Sequence, residues 1–120
     1  LVVNDPITGQ GSNNAAKFAH AVETAILAHG DAAFDAAFMQ RTFDDFWNRY
    51  GMHVTQWTNA LLAPPPEHVL QLLGAAGSHP AIAHRIANGF NNPPDYAEFF
   101  MTPDKAAAYL AQVAQMPQAA

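Results

Sequence analysis

The chain has 120 residues, half of them apolar, no cysteine and a formal net charge of −5. This composition is that of a foldable length of one domain and excludes a disordered tail; without thiols, disulfides, thiol catalysis and thiolate metal sites are excluded as well. Lys17, Arg41, Arg49, Arg85 and Lys105 are the only Lys and Arg residues, too few and too scattered to neutralise a nucleic-acid backbone. No window approaches the run of about twenty apolar residues that a membrane-spanning helix needs. The opening residues carry no basic-then-apolar leader, so a cytoplasmic protein with no membrane or nucleic-acid partner is expected.

In chain order, Leu1-Val2-Val3 reads as the end of a short buried strand. No other segment offers it a partner, and a lone strand leaves its backbone groups unmet. The chain therefore reads as a fragment whose sheet lies upstream. Residues 4–16, Asn-Asp-Pro-Ile-Thr-Gly-Gln-Gly-Ser-Asn-Asn-Ala-Ala, form a glycine-rich turn that leads into a helix. Two glycines allow positive φ and close approach of the backbone to a ligand. The helix after the turn points its unpaired N–H groups and positive dipole end forward, which suits an anionic or carbonyl-rich ligand. Asp5 supplies an acceptor for hydroxyl groups, and Pro6 stiffens the turn.

Ser12 or Asn13 is the expected cap of this first helix. Its apolar face carries Phe18, Val22, Ala25, Ile26 and His29, and Gly30 ends it. Asp31 is a candidate cap for the next helical stretch. Phe34, Phe38, Phe43, Phe46, Trp47, Tyr50, Val54, Trp57, Leu61 and Leu62 recur at mostly helical spacing, which predicts one long helix over 35–63 bent near Gly51. Pro64-Pro65-Pro66 stops it. Pro66 can open a helix carrying Val69, Leu70, Leu72 and Leu73, broken at 74–78. Another helix runs from Pro80 to about Asn88, and a turn-rich loop spans 89–94. A short helix comes next over 95–101, and Thr102-Pro103-Asp104 caps the last one, which runs to about Gln115. Residues 117–120 read as a disordered tail.

Several groupings invite a chemical reading. His20, His29, His53, His68, His79 and His84 are scattered, and the pair at 79 and 84 misses the i, i+4 spacing of two ligands on one helical face. No metal site is expected. Arg41, Asp44, Asp45 and Arg49 fall at helical ion-pair spacings and read as a solvated face. Ser12 lies outside any Gly-x-Ser-x-Gly elbow. Phe38, Phe43, Phe46, Trp47, Tyr50 and Trp57 either line a pocket for an apolar aromatic substrate or pack as helix core. Phe90, Tyr96, Phe99 and Phe100 read as glue for the last helices.

The run Asp-Pro-x-x-Gly-x-Gly-x-Asn-Asn-Ala, from Asp5 to Ala15, resembles the second flavin-contacting motif of the FAD-dependent aromatic monooxygenases. Within that superfamily it looks most like the epoxidase component of styrene and indole monooxygenases. The resemblance implies that Asp5 binds the ribityl chain of FAD and Pro6 packs beside the flavin. Gly9 and Gly11 would let the backbone approach the isoalloxazine. Ser12, Asn13 and Asn14 would place helix N–H groups where negative charge collects in the reduced flavin.

The implied fold is mainly α: the helical C-terminal portion of an α/β FAD-binding monooxygenase, with one short N-terminal strand and about six helices. On this reading residues 1–16 are the flavin-contacting motif, 13–116 the helical region and 117–120 the tail. The implied activity uses reduced FAD, delivered by a separate flavin reductase, and dioxygen to epoxidise an apolar aromatic alkene. Such chemistry requires no side-chain acid or base. The dinucleotide-binding Gly-x-Gly-x-x-Gly fingerprint of the family is absent from this sequence, so the fragment alone is expected to be inactive. Homo-oligomers are possible. The alternative readings are a non-catalytic helical interaction or self-association module and a small ligand-binding helical bundle unrelated to flavin.

Overall fold

The computed structural model describes residues 8–116. The strand expected at Leu1–Val3, the residues Asp5 and Pro6, and the tail at 117–120 lie outside the described residues. Within them the chain is mainly helical and contains no strand. The elements are α1 (Gly11–His29), α2 (Ala36–Phe46), a π-helical turn (Trp47–Gly51), α3 (Met52–Leu61), α4 (Glu67–Ala76), α5 (Pro80–Gly89), α6 (Pro93–Phe99) and α7 (Pro103–Ala114). Because α2, the π turn and α3 run on without a break, the described residues form six helical rods. They divide into two compact units, Leu1–Thr58 and Asn59–Ala120.

The first unit is a helical hairpin. Gly30, at φ 65°, ends α1, a left-handed conformation that glycine adopts without a Cβ penalty. The next helix is capped by Asp35 rather than Asp31: the Asp35 carboxylate accepts from the Phe38 N–H at 2.7 Å, a cap worth about 1 kcal/mol. The expected cap, Asp31, lies five residues before the helix begins at Ala36, whereas Asp35 stands immediately before it. The long aromatic helix forms as expected, with its irregularity ending at Gly51. There the π turn admits one extra residue and keeps Phe46, Tyr50 and Val54 together on the buried face, against Phe18 and Ala21 of α1. A Cβ at Gly51 would lie 3.1 Å from Trp47 Cε3 and 3.2 Å from Phe46 Cε1, so the aromatic rings occupy the space that the glycine leaves.

The second unit takes its helix starts from proline and threonine. Pro66 and Thr102 stand at the N-cap positions of α4 and α7, and Pro80, Pro93 and Pro103 lie in the first turns of α5, α6 and α7, where the missing N–H costs nothing. α4 runs through Gly74 to Ala76, past the expected break. α4 packs on α5 and α7, and α6 packs on both α5 and α7. Leu72, Ile82, Tyr96 and Phe99 are fully buried, joined by Phe100 and Ala106. The Tyr96 hydroxyl donates to the Ile86 carbonyl at 2.6 Å. Arg85 forms a two-pronged bond to Asp95, at 2.9 and 2.6 Å, while its guanidinium lies 4.3 Å from the Phe99 ring centre and 4.6 Å from that of Tyr109. Hydrogen bonding to Asp95 raises the Arg85 pKa above its ordinary value, against the opposing effect of burial.

Candidate functional site

Of the sequence-predicted site residues, Gly9, Gly11, Ser12, Asn13 and Asn14 fall within the described chain, and all stand in the turn and first helical turn of α1. Gly9 has φ 64°, a value that strains any residue with a Cβ. Gly11 is helical. Among the described residues, a Cβ at either glycine would meet no atom within 4 Å. α1 begins at Gly11 with Gln10 as its N-cap, and no side chain caps it. The expected cap at Ser12 or Asn13 is therefore displaced, because both residues are already inside the first turn. The first helical bond at this end runs from the Asn14 N–H to the Gln10 carbonyl at 2.8 Å. The N–H groups of Gly11, Ser12 and Asn13 precede it and have no intrahelical acceptor.

Polar side chains gather under this exposed turn. Thr8, Gln10, Asn14 and Thr58 are all buried. The Thr8 and Thr58 hydroxyls are 3.1 Å apart across the hairpin, which ties the turn to α3, and Asn13 Nδ2 donates to Gln10 Oε1 at 3.4 Å. Asn14 is 4% exposed, and among the described residues its Oδ1 has no hydrogen-bond partner. The Tyr50 hydroxyl and His53 Nδ1 are also buried and unpartnered. Burial away from water pushes the Tyr50 pKa up. An unpaired buried acceptor costs about 1–3 kcal/mol; such groups are uncommon, and a missing ligand or water is one physical reason for them.

Further along the hairpin, a groove of about 750 Å³ opens between α1 and α2. Its α1 wall carries Lys17, His20, Ala21, Thr24, Ala25, Ala28 and His29, and its α2 side carries Phe38, Arg41, Thr42, Asp44, Asp45 and Phe46, continued by Arg49 in the π turn. Phe38 and Phe46 are buried and form its apolar floor. Lys17 Nζ lies 4.1 Å from the centre of the Tyr50 ring. The expected ion-pair face is present in part: Arg49 binds Asp45 at 3.0 Å, while Asp44 accepts from Gln40 at 2.8 Å. His29 Nε2 lies 3.0 Å from the Ala33 carbonyl oxygen, and its ring packs against Phe34 and Phe38.

Both readings of the aromatic stripe have a counterpart here. Phe38, Phe46, Tyr50 and Trp57 are buried as core, and two of these four also floor the groove. Among the described residues no group of three or more His, Asp or Glu side chains is placed to hold a metal ion, and no helix is long and apolar enough to cross a membrane. Sequence reasoning passed over Thr8 and Thr58, whose contact spans fifty residues, and Gln10, which bonds Asn13 and Asn14. It also passed over the groove, although three of the five Lys and Arg residues fall between 17 and 49. No family model matches the chain, and no curated protein matches it.

Proposed function

We propose that residues 5–14 form the flavin-contacting turn of a two-component FAD-dependent monooxygenase of the styrene and indole epoxidase type, of which this chain is the C-terminal part. The observation that carries the reading is the combination at the start of α1, taken among the described residues: room over Gly9 and Gly11, no side-chain cap for the N–H groups of Gly11, Ser12 and Asn13, and the buried Oδ1 of Asn14 without a hydrogen-bond partner. These residues fit a flavin ring. The glycines permit close approach, the N–H groups and helix dipole favour negative charge, and Asn14 offers an acceptor to a ligand N–H. Asp5 would hold the ribityl hydroxyls and Pro6 would pack beside the ring.

When bound, reduced FAD would supply the activation of dioxygen and the transfer of one oxygen atom to an apolar aromatic alkene. The task of this chain would be to bind and orient the flavin and to stabilise its negative charge; no side-chain acid or base is asked for. A flavin reductase would be the partner that delivers the reduced cofactor. In the natural full-length protein, Gly11→Val and Asp5→Ala should each weaken FAD binding tenfold or more, a loss of about 1.4 kcal/mol, with the helical circular dichroism unchanged. Titrations that overlay the parent would show that this turn is not the flavin site. The second reading, a helical interaction module, draws support from the α1–α2 groove.

A further inference from the structure

We draw no further inference here: the strongest candidate, the buried polar atoms of the first unit's hairpin that have no hydrogen-bond partner among the described residues, Asn14 Oδ1, the Tyr50 hydroxyl and His53 Nδ1, carries nothing because Asn14 belongs to the turn already described and the three atoms together select no single ligand.

Discussion

Two buried tyrosines separate the two units of this molecule. In the second unit the Tyr96 hydroxyl donates to the Ile86 carbonyl at 2.6 Å, and its ring fills the space over Gly89. In the first, the Tyr50 hydroxyl is buried without a partner among the described residues, as are Asn14 Oδ1 and His53 Nδ1. Among the described residues the second unit has one such group, His68 Nε2. It also holds its partly buried charge in a pair, with Arg85 bonded to Asp95 and lying between Phe99 and Tyr109. The second unit is built for its own packing, while the first leaves polar atoms unanswered and a groove open. Satisfied polar networks specify a structure, and unsatisfied ones point to a ligand or a function.

The sharpest way to break this comparison is at the glycines. A Cβ at Gly89 would lie 2.3 Å from Tyr96 Cε1, inside a core of fully buried side chains that has no room to give. Gly89→Ala should cost about 3 kcal/mol, read as a lowered urea midpoint. At Gly11 a Cβ meets nothing within 4 Å among the described residues, and alanine is a better helix former. Gly11→Ala should leave stability unchanged within about 0.5 kcal/mol or raise it slightly. Equal losses at the two positions would remove the distinction between a packed glycine and an open one.

The hydroxyls give an intermediate effect. Tyr96→Phe strips a bond from a buried carbonyl and should destabilise by about 1–2 kcal/mol. Tyr50→Phe removes a hydroxyl that has no partner, so it should be neutral or stabilising. A loss at Tyr50 as large as that at Tyr96 would mean that Tyr50 is satisfied in solution. Both phenols have folded pKa values raised above the ordinary 10.0, chiefly by burial and, at Tyr96, also by the neighbouring Asp95. Because the folded state holds each phenolic proton more tightly than the unfolded chain does, their contribution to stability is intact below pH 10. It declines as pH rises beyond that. Urea unfolding of the two Phe variants should show this alkaline decline shallower than in the parent, more so for Tyr96→Phe, whose shift is the larger.

Much of the helical plan was legible in the sequence, because its signals are local. Gly30 ends α1, the proline triplet separates α3 from α4, and Pro80 and Thr102 mark helix starts within a residue of where they fall. The aromatic residues assigned to the last helices, Tyr96, Phe99 and Phe100, form the core there. Local signals failed where the helix starts later than its expected cap, Asp35 and not Asp31 capping α2, or where a helix tolerated an internal glycine, as at Gly74. The Arg85–Asp95 pair and the Thr8–Thr58 contact join separate elements, and no periodicity announces them. At the candidate site the motif placed the start of α1 but misplaced its cap. The buried environment of Asn14 depends on packing that a linear pattern does not encode.

The smallest effect, and the most direct test of the central claim, is the response of individual backbone amides to FAD. A titration followed by amide NMR shifts should move Gly9, Gly11, Ser12, Asn13 and Asn14 first, even where binding is weak, and leave the amides of 59–116 in place. Shifts centred in the second unit, or none in residues 9–14 at saturating flavin, would contradict the account.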